Sequence, residues 1–208
     1  MTIDPANVGG SSLITRIKNI ILHPKAEWER IDTEAADVRS LYVGYAAPLA
    51  AVSAVCMTLG LLLFPWGFGG FVIRLNPLQA VISGVFQFVL SMACIYVMGL
   101  IINALAPNFG SQQNQTQAHK VSVYAATAGL LAGVFSIHPM LGILGLVGLY
   151  SFVLLWFGLP KLMKTPEDKK VVYYASVIGL TIVAGVVISF VTTAIRAPLL
   201  AMVSGAGL

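Results

Sequence analysis

Residues 77–106, PLQAVISGVFQFVLSMACIYVMGLIINALA, run without a single Asp, Glu, Lys or Arg. At about 1.5 Å of rise per residue, a helix of this length exceeds the roughly 30 Å hydrocarbon core of a bilayer. An uninterrupted apolar run of this kind is typical of a transmembrane helix. The stretch therefore decides the fold class.

The rest of the chain has the same character. It is 58% hydrophobic and 10% charged, whereas soluble domains average about 25% charged residues. No acidic residue occurs between Asp37 and Glu167. A bilayer demands such a gap because a charge at its centre costs several kcal/mol. The sequence predicts an all-α membrane protein.

Five apolar runs are long enough to cross a membrane, at roughly twenty residues per crossing. They cover residues 41–64, 77–106, 121–137, 140–159 and 171–195 of a membrane domain that we assign to residues 41–208. Only His138 and Pro139 separate the third run from the fourth. A single bent or re-entrant segment over residues 121–159 is the alternative, but it needs about forty residues for one crossing. We predict five helices, the third and fourth forming a tight antiparallel hairpin.

The basic residues predict the orientation, because Lys and Arg near helix ends favour the cytoplasm. With the N-terminus inside, five crossings leave only Arg74 and Arg196 outside. The residues placed inside are Arg16, Lys18, Lys25, Arg30, Arg39, Lys120, Lys161, Lys164, Lys169 and Lys170. Four helices would separate the basic N-terminal arm from the basic 161–170 loop. Since these cations are spread over several helix ends rather than gathered in one patch, we expect no nucleic-acid partner despite the net charge of +4.

The N-terminal arm, residues 1–40, differs from the rest. Within it, residues 11–22 place five apolar side chains on one helical face, namely Leu13, Ile14, Ile17, Ile20 and Ile21. Pro24 ends this helix, and Trp28 in the next turn suits the headgroup layer. We predict an amphipathic interfacial helix lying under the bilayer. The alternative is a helix packed on a soluble face of the same protein.

Residues that carry chemistry are sparse. No ionisable Asp, Glu, Lys or Arg lies within the five runs, which makes a proton-coupled transporter a poor fit. His23 and His119 would face the cytoplasm and His138 the opposite side, so the three cannot form one metal site. Cys56 and Cys94 lie in apolar runs and are interpreted as small buried side chains. We predict no catalytic residue, no cofactor and no metal.

Glycines suggest close helix packing in the hairpin. Gly129 and Gly133 form a GxxxG pair, and Gly142, Gly145 and Gly148 continue a small-residue pattern into the next run. We expect these residues to let the third and fourth helices approach closely.

The order of several motifs resembles a known family. The arm and first span contain Arg16, Ile17, Ile21, Leu22, Pro24, Trp28, Ile31, Glu34, Tyr45 and Pro48, and later come YAATAGLLAGVFSIHP (residues 124–139) and LYSFVLLWFGLPKLMKTPEDKK (residues 149–170). Together with the closing apolar helix, these resemble the bacterial branch of the Yip (Ypt-interacting protein) domain family, from about Ser12 onward. The resemblance implies five membrane helices, a cytoplasmic N-terminus and a bacterial inner-membrane location.

Eukaryotic members of that family are associated with membrane trafficking and with prenylated Rab-type GTPases. Bacteria lack that system and the arm here is short, which argues against a GTPase partner. The resemblance supplies no catalytic residue.

Two functions are therefore expected from different classes. The first is a non-enzymatic membrane organiser or adaptor that binds membrane lipids, a protein partner or a second copy of the chain as a homo-oligomer. The expected lipid or partner contacts are Arg16, Lys18, Trp28, Lys161, Lys164, Lys169 and Lys170. The alternative is a small channel or permease for a neutral or weakly polar solute, with Gln87, Ser91 and Asn103 along the second span.

Overall fold

The computed structural model describes residues 10–68, 71–73 and 75–205, and Arg74 lies outside the described residues. It is helical apart from two short strands. In the described part of the chain, five helices are long and apolar enough to cross a membrane: Val38–Leu63, Pro77–Phe109, Gln115–Ile137, Pro139–Met163 and Lys170–Val203. We call them the first to fifth spans. The predicted fold class and the count of five are confirmed.

From residue 10 onward, where the description of the arm begins, two helices precede the spans, Gly10–Leu22 and Pro24–Thr33, which we call the first and second arm helices. The first agrees with the amphipathic helix expected over residues 11–22. His23 separates the two, and Pro24 begins the second at a position where a missing N–H costs nothing. The division of the chain at residue 40 stays a prediction.

The starts of the first and second spans are capped by side chains. The Asp37 carboxylate accepts a hydrogen bond from Ser40 N at 3.4 Å, ahead of the first span. A π-helical turn follows at Tyr42–Ala46 before the α-helix Ala47–Leu63. Asn76 and Gln79 form a reciprocal capping box at the start of the second span, whose α-helical part is Pro77–Leu105.

The loop between the first two spans contains an antiparallel pair of strands, Trp66–Phe68 and Phe71–Ile73. Trp66 pairs with Ile73, and Phe68 with Phe71. This two-stranded ribbon was not among the predicted elements. It is too short to alter the all-α architecture.

The third and fourth spans are separate helices joined at His138. This residue has extended backbone angles, φ −140° and ψ 131°, and Pro139 begins the next helix. Its Nδ1 accepts a hydrogen bond from Met140 N at 3.1 Å. On both sides of the turn the backbone is a 3-10 helix, over Gly133–Ile137 and Pro139–Leu149, before α-helix resumes at Tyr150–Met163.

The glycines of this hairpin act differently from the prediction. A Cβ at Gly148 would lie 3.4 Å from Gly129 Cα, so these two do mark a close approach of the helices. A Cβ at Gly133 would instead lie 2.6 Å from Ser53 Oγ, because this glycine faces the first span. Gly142 and Gly145 have no described atom within 4 Å of a built Cβ. The expected role of these last two in hairpin packing is therefore wrong.

The packing is asymmetric along the bundle. The third span is the most buried, lying between the first, second and fourth, whereas the fifth packs mainly on the second and leaves much of its surface open. The buried core gathers at the end of the bundle that carries the arm, where Ile20, Trp28 and Ile31 meet Leu154 and Tyr173. The junction of the arm and the bundle is therefore the place where polar side chains can be held in a fixed arrangement by the surrounding core.

Candidate functional site

The second arm helix is inserted into the bundle through Trp28. The indole is 1% exposed, and Gly158 of the fourth span provides its space, since a Cβ there would lie 2.5 Å from Trp28 Cζ2. The Tyr124 ring meets the indole edge-on at 6.3 Å between centroids. Trp28 was expected to contact lipid in the headgroup layer, whereas its ring is covered by the protein itself. The reason is a glycine 130 positions further along the chain.

Arg16 joins the two arm helices. Its Nη1 donates to Glu27 Oε1 at 2.6 Å, and its Nη2 donates to Glu34 Oε2 at 2.6 Å. The guanidinium also lies 5.7 Å from the centroid of the Tyr124 ring. Burial alone would lower the pKa of Arg16, but the hydrogen bond and charge of Glu34, with those of neighbouring groups, outweigh it and raise the pKa. Arg16 is therefore a permanently charged internal connection rather than a free lipid contact.

Lys120 secures the C-terminal end of the second arm helix. Its ammonium donates to the carbonyl oxygens of Ile31 at 2.9 Å and Glu34 at 2.5 Å. The residue is 2% exposed. A cation at the last carbonyls of a helix satisfies free acceptors and opposes the negative end of the helix dipole. Sequence reasoning missed this role because the third span was started at Val121.

An aromatic box surrounds His119, the residue before Lys120. Tyr42 Oη and His119 Nδ1 are 2.9 Å apart, and the Tyr96 ring stacks on the imidazole at 5.0 Å. Gly99 leaves room for the ring, since a Cβ there would lie 2.3 Å from His119 Nδ1. Nε2 of His119 is buried without a partner among the described residues. The box ties the first three spans together directly below the arm.

Two lysines of the basic loop are bound to the arm. Lys161 Nζ lies 3.5 Å from Glu29 Oε1, and Lys164 Nζ lies 2.5 Å from Asp32 Oδ2. Both were expected to be available to lipid or a partner. The acidic side chains of the second arm helix are placed to neutralise them. Lys169 is exposed and stays available.

Lys170 and Lys25 contact aromatic rings instead of carboxylates. Lys170 Nζ lies 4.6 Å from the Trp156 ring centroid, and Lys25 Nζ lies 5.4 Å from that of Phe157. No ion pair involves either lysine within residues 10–68, 71–73 and 75–205. Lys25 was not among the predicted contacts.

One face of the first arm helix stays free. Ile14 and Leu22 are 66% and 57% exposed, and Lys18 between them is also exposed. The opposite face is held on the bundle by Ile20, which is fully buried, and by the Tyr150 hydroxyl, which donates to Ile21 O at 3.0 Å. Spacing of four residues puts Ile14, Lys18 and Leu22 in one stripe.

Two of the polar residues considered for a solute path, Gln87 and Ser91, bond to each other within the second span. Ser91 Oγ donates to Gln87 O at 2.9 Å, and Gln87 Nε2 lies 3.4 Å from Ser91 Oγ. These two side chains thus use their hydrogen-bonding capacity on their own helix. Asn103 Oδ1 is buried without a partner among the described residues.

A metal site would need several ligands close together. Among the residues whose placement is described, no three His, Cys, Asp or Glu side chains meet that requirement. Four acidic side chains of the arm, Glu27, Glu29, Asp32 and Glu34, are paired with Arg16, Lys161 or Lys164. The geometry at the junction is that of a structural connection.

Comparison with known proteins agrees with the resemblance noted above. The chain is 22% identical over 172 residues to "Inner membrane protein YohC" of Escherichia coli strain K12, which covers 80% of this chain and 88% of the relative. The protein of the same name from Escherichia coli O6:H1 strain CFT073 shows the same identity and coverage. No solved structure matches. The model of the Yip1 domain matches residues 18–189, and the chain therefore belongs to the Yip1 domain family.

Proposed function

We propose that this protein is a non-enzymatic membrane organiser, which binds the anionic lipid surface through the free face of its N-terminal arm on the cytoplasmic side. The observation that carries the proposal is the stripe of Ile14, Lys18 and Leu22. Two large apolar side chains are left exposed around a lysine on a helix whose other face is anchored. Such a face fits the boundary between headgroups and acyl chains.

The anchoring supports this reading. Lys120 holds the arm to the bundle through backbone carbonyls and Trp28 through burial, while the ion pairs of Arg16 hold the two arm helices to each other. A helix already held in place loses little conformational freedom on contact with lipid, so its exposed face binds at lower entropic cost. Holding the arm in place thus accounts for the charged groups at the junction, and no catalytic role is needed to explain them.

Cytoplasmic orientation of the arm and an inner-membrane location complete the proposal. Ten of the twelve basic residues lie inside when the N-terminus is inside, and the similar Escherichia coli protein is named an inner membrane protein. A cysteine at Met140, 84% exposed beside the hairpin turn, should react with an impermeant thiol reagent from outside. A cysteine at Lys164 should react only after permeabilisation. If the cysteine at Lys164 reacted from outside and the one at Met140 reacted only after permeabilisation, the topology would be the reverse of the one proposed.

Spin labels on the full-length chain in bilayers test the lipid contact. Cys56 and Cys94, the two native cysteines, are replaced by alanine, and labels are attached at Ile14→Cys or Leu22→Cys. Collision rates should be high with oxygen, which partitions into lipid, and low with a water-soluble nickel complex. A label at Glu29→Cys, a side chain 69% exposed on the other arm helix, should show the opposite preference. Water accessibility at both stripe positions would refute the lipid contact.

A further inference from the structure

Four lysines on the arm side of the bundle divide into two kinds. Lys161 and Lys164 are neutralised by Glu29 and Asp32 of the arm. Lys25 and Lys170 have no acidic partner in the ranges 10–68, 71–73 and 75–205, and each ammonium sits over an aromatic ring. The second kind keeps a positive charge that an outside group can meet, as does the exposed Lys169.

The two aromatic partners are consecutive residues of one helix, Trp156 and Phe157 in the fourth span. Tyr174 supports the first ring, meeting Trp156 edge-on at 5.1 Å while its hydroxyl donates to Phe152 O at 2.9 Å. The lysines come from two other elements, the second arm helix and the start of the fifth span. Two lysine–ring pairs therefore lie at the same level on neighbouring faces of the fourth span, and with Tyr174 they form what we call the basic-aromatic rim: Lys25, Trp156, Phe157, Lys170 and Tyr174.

The depth of the rim follows from the elements that form it. Trp156 and Phe157 lie within two turns of the end of the fourth span, and Lys170 is the first residue of the fifth. Aromatic rings and lysines are both enriched where a span leaves the hydrocarbon. A phosphate group of a lipid lies at that level, whereas a soluble protein partner would have to reach past the headgroups.

We propose that the basic-aromatic rim binds the headgroup phosphates of anionic phospholipids. The rings hold the two ammonium groups at headgroup depth without neutralising them, and the phosphates supply the missing anions. The inference rests on the proposed function only in placing this face at a lipid surface, and it deepens that function by naming the headgroup and its contacts.

Lipid binding by the purified full-length chain in a mild detergent tests the rim. Phosphatidylglycerol or phosphatidylcholine is titrated in, and bound lipid is counted by native mass spectrometry at low salt. The double variant Lys25→Gln/Lys170→Gln should bind phosphatidylglycerol roughly 25-fold more weakly, at about fivefold per lysine. Affinity for phosphatidylcholine should change little.

The matched control is Lys161→Gln/Lys164→Gln, which removes the same charge from the same face. Since these lysines are already paired, phosphatidylglycerol affinity should stay within about twofold of the parent. An equal loss of phosphatidylglycerol affinity in both double variants would show that binding depends on overall charge, and would refute binding at the rim. Displacement of the lipid by millimolar inorganic phosphate would overturn its assignment to lipid. Because the rim is measured in micelles and the arm stripe by spin labels in bilayers, failure of one is distinguishable from failure of the other.

Discussion

Replacing Gly158 by alanine should release the arm from the bundle. The new methyl carbon would lie 2.5 Å from Trp28 Cζ2 and 2.7 Å from Cε2 and Cη2. Carbon atoms pack at about 3.5–4.0 Å, so the ring must shift by about 1 Å. An indole that is 1% exposed, with Tyr124 against it, has no room for such a shift.

Overpacking of this kind costs about 1–3 kcal/mol, and loss of the whole buried indole would cost about 3–5 kcal/mol. We expect the lower range, because the ring can leave its place together with the arm. The population with a released arm should then rise roughly 5- to 150-fold, since each 1.4 kcal/mol is a factor of ten.

The assay is thiol labelling at Ile20→Cys, in full-length chain lacking Cys56 and Cys94. Ile20 is fully buried on the bundle-facing side of the first arm helix, so labelling requires release of the arm, and the labelling rate follows the released population. The matched control is Gly179→Ala in the fifth span, where a Cβ has no described neighbour within 4 Å. Equal labelling rates for the Gly158 and Gly179 variants would refute the placement of Trp28 against Gly158.

Two further predictions concern the interior. Arg16→Met should cost on the order of 2–3 kcal/mol of stability because it leaves Glu27, whose side chain is 7% exposed, without its partner. In thermal unfolding, the double variant Arg16→Met/Glu27→Met should recover part of this loss. No recovery would show that the two residues are not energetically coupled. Because the pKa of Arg16 is raised, its contribution is complete below the ordinary pKa of arginine and is lost only as the pH rises through the raised pKa, so the cost of Arg16→Met should not vary around neutral pH through titration of the guanidinium. Gly133→Leu should destabilise the bundle by about 1–3 kcal/mol through collision with Ser53, while Gly145→Leu should leave the midpoint of thermal unfolding nearly unchanged; equal effects would contradict the packing of the hairpin described above.

The five spans could be predicted because each requirement is local. A crossing needs about twenty apolar residues, and these residues are consecutive in the sequence. The first arm helix was equally accessible, since its apolar side chains recur with helical period. These signals do not depend on which helix lies beside which.

The candidate site was only partly accessible, because its contacts join distant positions. Lys120 meets the carbonyl of Ile31, 89 residues earlier, and no local pattern distinguishes such a lysine from one in a loop. Trp28 has the amphipathic character of an interfacial residue, and only Gly158 makes it a core residue. Charge counting placed Lys161 on the same side as the arm, but it could not show that Glu29 would pair with this lysine.

The 3-10 backbone of the hairpin changes how far its residues reach. A 3-10 helix rises about 2.0 Å per residue against about 1.5 Å in an α-helix. Pro139–Leu149 therefore extends over about 22 Å where eleven α-helical residues would extend over about 16 Å. The hairpin is thus several ångströms longer than α-helices of the same number of residues would be. Its two helices come from the shortest apolar runs of the chain. Since 3-10 hydrogen bonds have poorer geometry, the same segment should exchange its amide hydrogens faster than the α-helical half, Tyr150–Met163, of the same span.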